Sequence, residues 1–200
     1  MVATVSNFAN GCPANSKLLV PFINDAYKEF AKLCNASDVL DRLVIDQGRY
    51  LSYISKSYDN DTLAQVSGRT VLDNYPTAPY LTVDKTQLRK CTLPPKKYVT
   101  FQYTGVSKRC GYTTHMIDSI LRRWYPNYAY INIGGRDSMG LATVAYMLEH
   151  AEFHVGIDSG LTHFAYCVKD PKDVHVYIPA DKQTGVAKRW IEKGYDVRLL

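Results

Sequence analysis

Six consecutive residues near the C-terminal end, Asp158-Ser159-Gly160-Leu161-Thr162-His163, put a carboxylate, two hydroxyls, a glycine and an imidazole within a single turn of chain. An apolar run, Phe153 to Ile157, leads into them, and a second, Phe164 to Val168, follows. This order predicts a strand closing at the acidic residue, a tight turn at Gly160 and a helix opening beside a hydroxyl. Such a turn aims free backbone N–H groups and the positive end of a helix at one point, which is a way to hold a phosphate. The same spacing also describes an ordinary strand–helix turn with Ser159 as its cap.

Ligands of an open parallel sheet bind beyond the carboxyl ends of its strands, and two more loops are expected to leave such ends. Gly105-Val106-Ser107-Lys108-Arg109-Cys110 carries two cations able to neutralise a diphosphate; as residue types they also suit a solvated charged loop. Gly134-Gly135-Arg136-Asp137-Ser138-Met139 has two glycines that permit close backbone approach, although any tight turn uses glycine. A helix terminus contributes only ~0.3–1 kcal/mol per favourable charge. Anchoring a diphosphate therefore calls for Lys108 or Arg109 as well.

Gly156-Ile157-Asp158-Ser159-Gly160-Leu161-Thr162-His163-Phe164-Ala165 resembles the D-[ST]-G-x-[ST]-H-x-A signature of heptosyltransferase-like glycosyltransferases. The likeness extends to Tyr98-Val99-Thr100-Phe101-Gln102, to Lys108-Arg109 and to Tyr130-Ile131-Asn132-Ile133-Gly134-Gly135, in the family's order. It covers Tyr98 to Pro179. The resemblance implies a GT-B fold whose second Rossmann-like lobe binds a nucleotide-diphosphate sugar as donor substrate. It implies donor contacts from Lys108, Arg109, Gly134, Gly135, Asp137, Ser138, Met139, Ser159, Gly160, Leu161 and Thr162. Asp158, accepting from sugar hydroxyls, and His163, bonding phosphate or sugar, are the catalytic candidates; His163 alone also fits a satisfied core histidine.

The implied activity is transfer of a sugar to an acceptor hydroxyl, with cations and backbone donors stabilising the departing diphosphate. No cofactor or metal is expected, because Lys108, Arg109 and the helix end supply that neutralisation. The family's general base is an acidic residue in a glycine-containing loop after the first strand. Here the corresponding stretch, Asn7 to Cys12, has no carboxylate, which leaves Asp25, Asp46 and Asp158 as acids to consider. Two alternatives stay open: a non-catalytic nucleotide- or nucleotide-sugar-binding regulatory module, or a transferase whose acceptor is a modified nucleic-acid base.

The totals bound these readings. Hydrophobic residues at 46% and charged residues at 22% match ordinary globular usage, so a real core is expected in the 200 residues. No apolar run suggests a membrane span, and Met1 to Val5 lack the basic start and apolar stretch of a secretory leader. The expected location is cytoplasmic. Five scattered cysteines form no C-x-x-C pair and predict neither a disulfide framework nor a zinc site. The net charge of +5 favours an anionic ligand weakly, being split among Lys108-Arg109, Arg122-Arg123 and Lys188-Arg189. His150 and His154 are separated by a helix break and make no metal pair, and His115 and His175 show no partner in the sequence.

Two regions must position this chemistry. Residues 1–95 read as a short, mostly helical N-terminal lobe and linker. In it, a strand is expected at Val2–Ser6 and a helix from about Lys17 to Cys34, or from Val20, since Pro21 is tolerated only in a first turn. Ser37 can cap a second helix with Val39, Leu40, Leu43 and Val44 following, although Arg42–Asp46 also fits a strand, and further helical pieces fall at Tyr50–Tyr58 and Thr62–Val66. Pro76, Pro79, Pro94 and Pro95 mark the linker. Residues 96–200 alternate strands (Tyr98–Thr104, Ala129–Ile133, Phe153–Ile157, Val174–Ile178, Asp196–Leu200) with helices capped at Thr113 and Ser138 or spanning Leu161–Val168 and Gly185–Lys193. That rhythm predicts an α/β, Rossmann-like parallel sheet with flanking helices.

Overall fold

Near-continuous apolar runs such as Tyr98–Phe101 and Val174–Ile178 suit strands covered on both faces, and they form the centre of a parallel sheet in the computed structural model. The structure describes residues 6, 9, 10, 14, 15, 17–20, 23–45, 80–102, 114–134, 139–178, 190, 191 and 194–199. The chain divides into two compact units, Met1–Asp84 and Lys85–Leu200.

In the first unit, β1 (Leu18–Val20) pairs in parallel with β2 (Leu43–Ile45), Leu18 opposite Leu43. Helix α1 (Asp25–Leu33) lies between them in sequence. Asn24 caps it, its side-chain oxygen accepting from the Tyr27 N–H at 3.2 Å. Asp25 in the first turn and Lys32 in the last complement the helix dipole. Phe30, Ala31 and Leu33 bury its apolar face. The helix ends at Cys34, after which Asn35 takes a left-handed φ of 51°, a conformation asparagine tolerates better than most residues. Its amide donates to Asp84 Oδ2 at 2.8 Å.

The expected helix from Lys17 is thus corrected to a strand at Leu18–Val20 and a helix from Asp25. The residue before a proline is driven to extended backbone, and Val20 precedes Pro21. After Ser37 the helix is short, α2 (Asp38–Asp41), without a side-chain cap bond from Ser37, and Leu43 and Val44, expected to continue it, belong to β2. Ser6, expected at the end of a strand, is helical and buried. Residues 46–79, with the two further helical pieces expected there, lie outside the described residues.

The second unit holds a five-stranded sheet, β3 (Tyr98–Phe101), β4 (Ala129–Asn132), β5 (Phe153–Gly156), β6 (Val174–Ile178) and β7 (Val197–Leu199). All are parallel, in the spatial order β4-β3-β5-β6-β7. The order reverses between β3 and β5, where Val99 lies opposite Phe153 and Phe101 opposite Val155. Three helices follow the first three strands: α3 (Thr114–Trp124), α4 (Leu141–His150) and α5 (Gly160–Ala165). Helix α4 begins at Leu141 with Gly140 at its N-cap, two residues later than the cap expected at Ser138.

Side chains alternate across the sheet. Val99, Val155 and Tyr177 share one core with Ile117, Ile120 and Leu121 of α3, the fixed bulk of that face. Each of those large residues contributes about 1.5–3 kcal/mol on burial. On the other face the Tyr98 hydroxyl donates to the Met147 carbonyl of α4 at 2.9 Å. Lys169 then closes the end of α4, giving Nζ bonds to the Leu148 and Ala151 carbonyls at 3.2 and 2.6 Å. Ala151 is extended, so the helix does stop between His150 and His154.

Candidate functional site at the sheet's carboxyl edge

The reversal in strand order places the ends of β3 and β5 side by side, the position at which sheets of this kind leave a crevice. Gln102 follows β3 and Asp158-Ser159 follows β5. The Gln102 backbone N–H donates to the Val155 carbonyl at 3.0 Å, extending the ladder one residue past the strand. Its side chain is buried, and its amide Nε2 donates to Ser159 Oγ at 2.5 Å.

Ser159 is the N-cap of α5. Its backbone is extended, and Oγ accepts weakly from the Thr162 N–H at 3.4 Å. Thr162 is fully buried, and its hydroxyl donates back to the Ile157 carbonyl at 2.5 Å. The turn is therefore cross-braced from inside: Thr162 ties the helix to the strand end, and Gln102 ties the serine to the neighbouring strand. Thr162 Oγ1 spends its proton on the turn itself, so the structure gives this residue a bracing role beside the donor contact expected of it.

Two glycines in this stretch differ. A Cβ on Gly156 would lie 2.6 Å from Thr162 Oγ1 and 2.7 Å from His154 Nε2. A side chain there would force α5 away from β5, so glycine is demanded by the packing. A Cβ on Gly160 would meet nothing within 4 Å, and the residue is exposed. Packing does not require glycine at 160, and its open side leaves the backbone approachable.

His154 and His163 flank the brace. His154 is fully buried, its Nδ1 3.2 Å from Thr100 Oγ1. Burial, foremost, with Lys169 and His175 adding to it, pushes its pKa down to about 3. The His163 ring packs on Trp190 at 4.7 Å between centroids, and burial lowers it to about 3 as well. His163 is thus a neutral imidazole at ordinary pH and supplies hydrogen bonding, not charge, to anything bound nearby. Asp158 is half-buried beside Ser159.

The second expected loop is described at its two ends. Gly134 is buried, and its N–H donates to Asn132 Oδ1 at 2.9 Å, turning the chain directly after β4; Met139 is half-buried before α4. Gly135, Asp137 and Ser138 lie outside the described residues, as do Lys108 and Arg109. The structure therefore brings together Asp158, Ser159, Gly160, Leu161, Thr162 and His163, with Gln102 added. Asp25, considered as a base, is an exposed first-turn residue of α1 paired with Lys28 at 3.3 Å. Asp46 is outside the described residues.

Gln102 was missed as a site residue, although a polar side chain closing the apolar run Tyr98–Phe101 was the available signal. A second correction concerns His175, which does have partners. Its Nδ1 shares a short hydrogen bond with the Tyr125 hydroxyl, and Nε2 lies 3.2 Å from the Lys172 carbonyl and 3.5 Å from Asp196 Oδ2. Arg198 Nη1 donates to the Tyr177 and Tyr125 oxygens at 2.7 and 3.2 Å, while Asp196 holds the other guanidinium nitrogens at 2.8 and 3.0 Å. Tyr125 and Asp196 reach His175 from distant parts of the chain, and no local spacing marks them. Burial, then Arg198, lowers the His175 pKa; Asp196 partly offsets them. Among the described residues, no group of three or more His, Cys, Asp or Glu side chains could hold a metal ion.

Residues 117–186, about a third of the chain, match the sequence model of glycosyltransferase family 9 (heptosyltransferase). The matched segment carries β4, β5, β6 and the whole Asp158–His163 turn, and it is the likeness the motifs implied. The chain is also similar to two crystal structures of TibC, one described as a dodecameric iron-containing heptosyltransferase and the other as a bacterial iron-containing dodecameric glycosyltransferase from enterotoxigenic E. coli H10407. One, in complex with ADP-D-beta-D-heptose, is 16% identical, with 62% of this chain and 36% of that chain covered and a TM-score of 0.40. The other is 17% identical, with 58% and 34% covered and a TM-score of 0.40. This chain thus spans about a third of the length of those structures. No curated protein matches it.

Proposed function

We propose that this chain transfers a sugar from a nucleotide-diphosphate donor to an acceptor hydroxyl, and that the second unit holds the donor. The observation that carries the reading is the placement of the Asp158–His163 turn at the reversal in strand order, braced by Gln102 and Thr162 with Gly160 open. The family match across residues 117–186 supports the same chemistry.

In this reading the backbone N–H groups at 159–161 and the Ser159 hydroxyl meet the donor phosphates, with Lys108 and Arg109 supplying the positive charge. Asp158 accepts from hydroxyls of the transferred sugar, and neutral His163 offers a ring nitrogen. Met139 and the loop of Gly134, Gly135, Asp137 and Ser138 border the base and ribose. The acceptor oxygen attacks the anomeric carbon as the bond to the diphosphate oxygen breaks, and the acceptor proton leaves to a base. Donors already aimed at the phosphate stabilise the charge that grows there, a preorganised contribution worth several kcal/mol per well-placed group, on the order of 3.

A thermal-shift screen against nucleoside diphosphates and their sugar conjugates tests this. At a hundred times its dissociation constant a ligand adds about 2.7 kcal/mol, or roughly 5–11 °C for a chain of this size. A selective shift, followed by sugar transfer from that donor, is expected. The absence of a carboxylate in Asn7–Cys12 favours a second reading, nucleotide binding without transfer. The two separate at Asp158→Asn: a transferase loses turnover and keeps much of its nucleotide affinity, whereas a pure binder shows no turnover to lose.

A further inference from the structure

We infer that His175 is the acid-sensitive centre of a clasp that fastens the edge strand β7 to the sheet, so that a proton taken up there releases β7 before the central strands open. The inference needs no ligand and stands apart from the donor-binding reading. Strand β7 is three residues long and, among the described residues, pairs only with β6. Asp196, just before it, and Arg198, within it, both reach the cluster formed with His175, Tyr177 and Tyr125.

The protons of this cluster follow from its fixed donors and acceptors. His175 Nε2 faces two acceptors, the Lys172 carbonyl at 3.2 Å and Asp196 Oδ2 at 3.5 Å. A lone pair there would meet oxygen lone pairs, so Nε2 carries the proton of the neutral ring and Nδ1 accepts from the Tyr125 hydroxyl. Turning the ring over would set carbon against both neighbours and lose both bonds, which settles its orientation. Arg198 offers only donors, and its Nη1 bonds the Tyr177 and Tyr125 oxygens at 2.7 and 3.2 Å. The Tyr177 hydroxyl, 3.2 Å from that of Tyr125, passes its own proton along the same line, and the chain of donors ends on Nδ1.

A second ring proton has no place in this arrangement. It would sit on Nδ1, aimed at a hydroxyl whose own proton is aimed at the ring and whose oxygen already accepts from a guanidinium. The ring faces Tyr125 from the end of α3, with Tyr177 behind it, and Asp196 and Arg198 from β7. Phe153 stacks on it from β5 at 4.7 Å, His154 interacts with it from the same strand, and the turn before β6 adds the Lys172 carbonyl and Asp173. Of the anions, Asp196 already holds Arg198 through both oxygens, at 3.0 and 2.8 Å. An imidazolium would compete with Arg198 for that carboxylate and loosen the side chains that tie β7 down. Burial, first, and then Arg198 make the ring hard to charge in the folded chain, with Asp196 partly offsetting them. A released histidine titrates near 6.5, so the clasp is complete above about pH 6.5 and weakens as pH falls. Only three ladder positions then hold β7, and a short edge strand opens at lower cost than the strands inside the sheet.

NMR on the full chain tests this. Long-range proton–nitrogen spectra at about pH 7.5 should show His175 protonated at Nε2 and bare at Nδ1. Amide exchange is then compared at about pH 7.5 and pH 5, corrected for intrinsic rates, at positions 197–199 and at Val176, whose N–H donates to the Asp196 carbonyl at 2.9 Å. Protection there should fall by about thirtyfold, the factor that one histidine released to its ordinary value supplies at pH 5. It should also lie about tenfold or more below that of Val99 and Val155 in the central strands. His175→Asn, whose Oδ1 still accepts from Tyr125 but takes up no proton, should keep β7 protection at pH 5 within about threefold of its value at pH 7.5. His175→Gln is the second variant, thermal unfolding shows which of the two is folded, and the wild-type spectra decide the case without either. A ring protonated at Nδ1, equal protection of β7 and the central strands at pH 5, or unchanged β7 protection between the two pH values overturns the inference. So does an acid loss at β7 that persists in a folded variant.

Discussion

The second unit contains two polar clusters within one sheet, and they are built in opposite ways. One, at the carboxyl edge, consists of Gln102, Ser159 and Thr162, short neutral side chains that brace a turn and leave backbone beside Gly160 open. The other joins His175, Tyr125, Tyr177, Asp196 and Arg198: the guanidinium meets a carboxylate and two phenols, and the imidazole meets a phenol and the Lys172 carbonyl. Its residue types are the ones that commonly do acid–base chemistry, yet among the described residues they hydrogen-bond chiefly to one another. Asp196 hydrogen bonding, foremost, raises the Arg198 pKa further, while burial raises that of Tyr125. In the proposed reading, position relative to the strand ends, more than richness in titratable groups, separates the donor-binding edge from a structural fastening.

Gly156→Ala should give the largest break in this comparison. Its Cβ would collide with Thr162 Oγ1 and His154 Nε2, both held inside the sheet–helix packing. Overpacking of this kind costs about 1–3 kcal/mol, read as a lowered urea midpoint, and nucleotide binding should be lost with the brace. Tyr125→Phe should come next. It removes the proton given to His175 and the oxygen that accepts from Arg198, at a cost of about 1–3 kcal/mol for buried partners left unmade. Unlike the first change, it should leave diphosphate affinity in the folded protein unaltered. If Tyr125→Phe weakened the ligand as strongly as it weakened the fold, the two clusters would not be functionally separate.

The pH profile sharpens the comparison from a third side. His154 and His163 titrate at about 3 in the folded chain, whereas an unfolded histidine does so near 6.5. The unfolded state therefore binds more protons between these values, so the stability conferred is complete above about pH 6.5 and declines as pH falls toward 3. Urea midpoints should fall steadily below pH 6.5; a flat profile would mean the rings are not held neutral. Gly160→Ala should have the smallest effect on stability, within about 0.5 kcal/mol, because its side chain enters open space. In the proposed reading it should still weaken diphosphate binding, since a methyl group would stand where the donor phosphates are placed against the backbone.

Much of the second unit was legible in the chain. Val174–Ile178 and Tyr98–Phe101 are short, nearly unbroken apolar runs, the pattern of strands covered on both sides, and their helices show apolar residues at helical spacing. The turn after β5 was legible as well, because acid, hydroxyl and glycine occur consecutively. The start of α1 differs because Leu19 stands at helical spacing from Ile23, Tyr27 and Phe30, while Pro21 and pairing with β2 override that spacing. Gln102–Ser159 and Tyr125–His175 were not legible: each joins residues 50 or more positions apart, and only the order of strands brings them together.

Hydrogen–deuterium exchange of the full chain, with and without the nucleoside diphosphate that shifts its melting most, tests the central claim most directly. The account predicts new protection in the backbone from Gly156 to His163 and at Gln102, with little change around Tyr125, His175 and Arg198. Protection centred on that second cluster, or none at 156–163 under saturating ligand, would contradict it.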